Sequence, residues 1–104
     1  MVVRTWRGLA SAANPHGYPE HFTRTLVPAL ERIEGFLGAS LLREDRADAI
    51  EFLVLTRWTS LDAIRSFAGE AINRAVVEPE AAAALVDFDR TVHHYRVVAE
   101  VSAP

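Results

Sequence analysis

The chain predicts an α+β fold of the ferredoxin-like, split βαβ type, with a four-stranded antiparallel sheet and a second copy completing a dimeric α/β barrel. Two observations carry this. The apolar periodicity runs strand, helix, strand, strand, helix, strand, the order that places all helices on one side of an antiparallel sheet. The third strand is apolar at both alternations: Phe52, Val54, Thr56 and Trp58 share one face, Leu53 and Leu55 the other. An exposed apolar face of several hundred Å² is rare on a monomer and forfeits about 25 cal/mol per Å², so a twin copy related by two-fold symmetry is the simplest cover.

The elements follow in order. Val2 to Leu9 reads as the first strand, with Arg4 and Trp6 on one face and Val3, Thr5 and Arg7 on the other. Asn14-Pro15-His16-Gly17 ends it, and Pro19 suits the first turn of a helix. Phe22, Leu26, Ala29, Leu30 and Ile33 form its apolar stripe, Gly35 closes it, and Pro28 predicts a kink or break near Val27. Phe36 to Arg43 is the second strand, Glu44 to Asp48 a charged turn, and Ile50 to Trp58 the third strand. Thr59 or Ser60 caps a helix running to Ala68, and Gly69 stops it. A helical turn over Ala71 to Val77, a helix from Pro79 to about Phe88 and a last strand from Thr91 to Val101 complete the pattern. In that last strand Val92 and Val98 oppose Tyr95, Val97 and Ala99, again giving two apolar faces. A length of 104 residues, half of them hydrophobic, fits one domain over the whole chain.

Composition narrows the function. With no cysteine there is no disulfide, thiolate metal site or thiol nucleophile. A formal charge of -3 and scattered arginines give no clustered positive field for nucleic acid. No apolar run reaches membrane-spanning length and the first residues lack the order of a secretion signal, so no membrane partner and a cytoplasmic location are expected.

The strings Ile33-Glu34-Gly35-Phe36-Leu37-Gly38-Ala39, Thr56-Arg57-Trp58-Thr59-Ser60-Leu61-Asp62-Ala63-Ile64, Phe67-Ala68-Gly69 and Val92-His93-His94-Tyr95-Arg96-Val97 resemble the antibiotic biosynthesis monooxygenase family of dimeric α/β-barrel proteins. The resemblance spans nearly the whole chain. It implies a pocket between helices and sheet for a small aromatic or quinol substrate, which reacts with O₂ without any cofactor. Such a site deprotonates a phenol, shields the product from water and orients oxygen, so it needs aromatic walls and one or two polar groups. A non-catalytic binding or structural dimer of the same fold is the alternative. Haem degradation, a third branch, uses a histidine on the second main helix as iron ligand, and residues 60–75 contain none.

The candidates follow from this. His94 is the expected base, because its alternation with Val92 and Val98 turns it toward a buried surface, where a neutral imidazole accepts a proton near pH 7. Trp6, Trp58, Phe22 and Phe67 are candidate walls, and at least one tryptophan is expected to serve core packing instead. Arg4 suits a substrate oxyanion or an ion pair with Glu51 or Asp62, the ion pair being preferred. His21 is placed at the pocket mouth or in solvent. Tyr95 faces away from His94, so one of the two belongs to the dimer interface. His16 and His93 read as solvated.

Overall fold

A computed structural model describes residues 1–104. Strand β1 (Val2–Ser11) lies at the centre of the sheet and pairs antiparallel with β3 (Ala49–Trp58) over its full length, from Val2 opposite Trp58 to Ser11 opposite Ala49. Strand β2 (Phe36–Asp45) pairs with the other edge of β3, with a bulge between Phe36 and Gly38. The far edge of β1 carries two short strands, β4 (Asp87–Phe88) and β5 (His93–Arg96). The arrangement β2-β3-β1 followed by β4 and β5 is the ferredoxin-like order, all antiparallel. No helix is long and apolar enough to cross a membrane.

The last strand, expected over Thr91 to Val101, is therefore shortened to β5, with β4 formed where the helix was expected to end, and the local competition for hydrogen bonds explains why. Residues 90–92 turn from β1 to the connection 69–77, where Arg90 O accepts from the Ala75 N–H and the Val92 N–H donates to Asn73 O. The same pairing, with an isolated bridge between Arg74 and Thr91, replaces the helical turn expected over Ala71 to Val77. Helix α4 (Pro79–Ala83) stops well before Phe88, because the Val86 and Asp89 N–H groups donate to Leu9 O and Arg7 O of β1. Val98 lies beyond β5 and is exposed, so the second apolar alternation expected at the chain end does not form.

The first helical stretch answers Pro28 differently from a break. Helix α1 (Gly17–His21) passes into a π-helical turn over Phe22–Leu26, in which the Val27 N–H donates to Phe22 O, and α2 (Val27–Glu31) resumes α geometry. Pro28 has no N–H for the Arg24 carbonyl and its ring crowds that turn; widening by one residue relieves both conflicts without ending the helix. After it, Gly35 has a positive φ of 94°, and a Cβ there would sit 2.5 Å from that of Ala63. The turn into β2 thus closes tightly on α3 (Leu61–Ala68), whose N-cap Ser60 Oγ accepts from the Ala63 N–H.

Along β3 burial alternates strictly, with Ile50, Phe52, Val54, Thr56 and Trp58 buried under the helices. Two core clusters result. One gathers Tyr18, Phe22, Ile50, Phe52 and Val54 with Ala10 and Ala81; the other gathers Leu30, Trp58, Ala63 and Ile64. On the opposite sheet face Leu53 lies between Leu42 and Arg7, Leu55 between Ser40 and Thr5, and Val3 between Tyr95 and Arg57, the last bonded to Ser40; Arg7 and Arg46 flank Glu51 at one end. Ile64 is fully buried in the second cluster, so Ile64→Ala is expected to destabilise the fold by about 2–5 kcal/mol in urea denaturation, with the unfolding m-value unchanged.

Candidate functional site

Between the two core clusters lies a cavity lined by eight hydrophobic residues, Arg4 and Thr56. Its aromatic walls are Trp6, Tyr18 and Phe67; Leu26, Leu30 and Val54 close the helix and sheet sides, and Val76 and Val92 lie on the side of the connection. Trp6 is fixed by its indole N–H, which donates to Asp89 O at 2.7 Å, and by rings of Tyr18 and Phe88 within about 6 Å. The cavity is partly open to solvent and its space is about 40 Å³, room for a few waters and less than the roughly 150 Å³ that accommodates benzene in an engineered protein cavity.

The polar feature of the cavity is Arg4. It sits on the helix-facing side of β1 and is 5% exposed, yet its guanidinium has no carboxylate partner. Nη1 donates to Ile72 O at 2.6 Å and approaches His94 Nε2 at 2.9 Å, Nη2 donates to Arg74 O at 3.1 Å, and the group lies over the Phe67 ring at 5.7 Å. The preferred ion pair is thus absent: Glu51 is taken by Arg46 and Arg7, and Asp62 by Arg65. Burial lowers the Arg4 pKa to about 10, which leaves it charged at neutral pH.

His94 faces the same side from β5, opposite Arg4 in the ladder. Burial, the charge of Arg4 and then that of His93 hold its pKa below the ordinary 6.5. At neutral pH the ring is uncharged and its Nε2 accepts from Arg4, so Nδ1 carries the hydrogen. It reaches the cavity only through the guanidinium and is not part of the lining. Tyr18 is held un-ionised by burial and then by the charge of Glu78.

The other sequence candidates are dispersed. Trp58 is fully buried, donates to Thr56 Oγ1 and packs on Phe36 and Phe67, which makes it core. Phe22 belongs to the first core cluster. His21, expected at the mouth or in solvent, is 4% exposed beneath α4; its Nδ1 has no hydrogen-bond partner and stands 3.6 Å from Glu80 Oε1. Tyr95 is exposed on the opposite sheet face beside His93. Arg4, Trp6, Phe67 and, through Arg4, His94 are brought together. Tyr18 was missed, although its spacing of four from Phe22 and of eight from Leu26 extends the apolar stripe by one turn. Val76 carried no signal, because its place depends on the unforeseen path of the connection.

The chain is a member of the antibiotic biosynthesis monooxygenase family, whose model matches residues 10–79; Arg4, Trp6 and His94 lie outside the matched segment. Among solved structures it is similar to a candidate antibiotic biosynthesis monooxygenase from Bacillus cereus (21% identity, TM-score 0.69, covering 99% of this chain and 96% of that one). It is similar also to SnoaB, a cofactor-independent oxygenase from Streptomyces nogalater (23% identity, TM-score 0.64, 98% of both chains). A third likeness is to the heme-degrader MhuD from Mycobacterium tuberculosis, solved with two hemes in its active site (25% identity, TM-score 0.58, 98% of this chain and 100% of that one). No curated protein matches significantly.

A pH dependence follows from His94. Because the folded form binds the proton less readily than the unfolded chain, stability is complete above about pH 6.5 and declines as pH falls from there toward the lower folded-state value. Chemical denaturation at a series of pH values is expected to show this slope, and His94→Gln, which keeps an acceptor for Arg4 but does not titrate, to flatten it.

Proposed function

We propose that the chain works as a single-domain cytoplasmic homodimer of monooxygenase type, oxidising a small aromatic or quinol substrate with O₂ and no cofactor. The observation that carries this reading is the aromatic-walled cavity holding one buried guanidinium with a neutral imidazole beside it. In such a site the positive charge of Arg4 lowers the cost of ionising a phenol, and His94 takes the proton at Nε2 once the guanidinium that now occupies that lone pair turns to the phenolate. Trp6, Tyr18 and Phe67 keep water from the electron-rich ring while oxygen reacts. The reading does not extend to haem, since α3 and the connection after it supply no histidine, cysteine, methionine or tyrosine to hold iron.

A second reading, a non-catalytic small-molecule-binding dimer, draws on one observation: His94 stands behind Arg4 rather than in the cavity wall. Oxygen consumption separates the two. With an anthrone-type dihydroxyarene the wild type is expected to consume O₂, and His94→Ala to lose about 10²-fold or more in kcat while remaining folded. Binding of the same compound with no oxygen uptake would establish the second reading instead.

The homodimer is supported by Leu53 and Leu55 in the middle of the uncovered sheet face, with Leu42 beside Leu53 and with Val3 and Tyr95 paired toward one end. Sedimentation at low micromolar concentration is expected to give a dimer, and Leu53→Asp to give a folded monomer.

A further inference from the structure

The cavity is partly open but has less room inside than one aromatic ring requires, so an aromatic ligand sinks fully into it only if part of its lining moves. The sheet and helix sides are built into the two cores. The connection between Gly69 and Pro79 is held more lightly: Val77 at its far end packs on the first core, but Val76 reaches the cavity while 44% exposed, and apart from Arg4 and the Gly69 N–H bond to Arg65 O that ends α3, the segment is tied to the rest of the chain by two backbone hydrogen bonds, around Arg90 and Val92. Gly69, at a φ of 77° with open space around its Cβ position, leaves the segment free to pivot at one end. The remaining ties run from the Arg4 guanidinium to the carbonyls of Ile72 and Arg74.

That fastening has an unusual chemistry. A buried cation is ordinarily matched by an anion, and Arg4 has only neutral acceptors and an aromatic face. The bonds to the two carbonyls are already charge-assisted by the guanidinium, but an oxyanion adds the attraction of its own charge in a low-dielectric site and, as a carboxylate, a bidentate match to the fork, so an anionic oxygen entering the cavity outcompetes the two carbonyls. We propose that residues 69–77 form a lid latched by Arg4, and that the ligand which opens it is an aromatic anion, a carboxylate or an ionised phenol, whose oxygen takes over the donors now given to Ile72 and Arg74. The lid opens because its latch is the group that binds the ligand. Selection for charge and access to the cavity are then one event, which rests on the cavity's being the ligand site proposed above and names the class of compound it admits.

The test uses the full-length protein without oxygen, so that it is independent of turnover. The probes are 2-naphthoate and its uncharged counterpart 2-naphthylmethanol, followed by quenching of tryptophan fluorescence and by amide hydrogen exchange. The naphthoate is expected to bind about tenfold or more tightly than the alcohol, a difference of about 1.4 kcal/mol. Saturating naphthoate should speed exchange at the Ala75 and Val92 amides about fivefold or more, while amides of the β1–β3 ladder keep their protection. Arg4→Gln should bind the two probes equally, and Arg4→Lys, which keeps the charge with fewer donors, should show a reduced preference and faster Ala75 exchange even without ligand. Equal binding of the probes by the wild type, no binding of either, or unchanged Ala75 and Val92 exchange on binding would overturn the proposal whether or not the Arg4 variants fold. Absence of oxygen uptake with a quinol removes the oxygenase reading but leaves these results standing.

Discussion

The uninterrupted ladder between β1 and β3 sets the side of the sheet on which every functional group falls. With Val2 opposite Trp58 and Ser11 opposite Ala49, each even-numbered residue of β1 from Arg4 to Ala10 shares the helix side with an even-numbered residue of β3. A slip of one residue would carry Arg4 and Trp6 to the other surface and bring Thr5 and Arg7 under the helices. The cavity therefore depends on a register that is fixed by burying Phe52, Val54 and Trp58, residues that mostly serve packing.

Arg4 is the costly member of this arrangement. An arginine in a central strand, removed from water and without a carboxylate, is kept because two carbonyls of a distant connection and an imidazole converge on it. The cavity's electrostatic character comes from that single choice: one cation among apolar walls, with His94 kept neutral beside it. An oxygenase of the proposed kind asks little more of a protein than this, a dry aromatic chamber with a positive charge placed where an ionised phenol would lie.

How much of this was legible in the sequence depended on range. The three long strands, the Ser60 cap and the outward placement of Leu53 and Leu55 follow from short-range periodicity, and they hold. Trp6 and Arg4 share a face because alternation in β1 is local. What could not be read was decided between segments far apart in the chain. Residues 90–92 bond to the connection 69–77 rather than to β1, which shortens the last strand; the Leu9 carbonyl draws Val86 out of the expected helix. The carbonyls of Ile72 and Arg74 supplant the ion pair expected for Arg4 for the same reason, since backbone acceptors carry no mark in the sequence. His21, expected at the pocket mouth or in solvent, is placed inside by the wider turn that follows it and the packing of α4 above it.

The π-helical turn ahead of Pro28 bears on how this scaffold can change. It holds one residue more than an α-helix of the same rise would, and Tyr18 on one side of it and Leu26 and Leu30 on the other all meet the same chamber. Losing a single residue from positions 22–26 would restore ordinary winding while leaving the helix on either side with the same face toward the sheet. Tyr18 would keep its side, but the wall between it and Leu26 would lose one side chain, so the length of this one turn offers evolution a means of reshaping the ligand space without touching the framework.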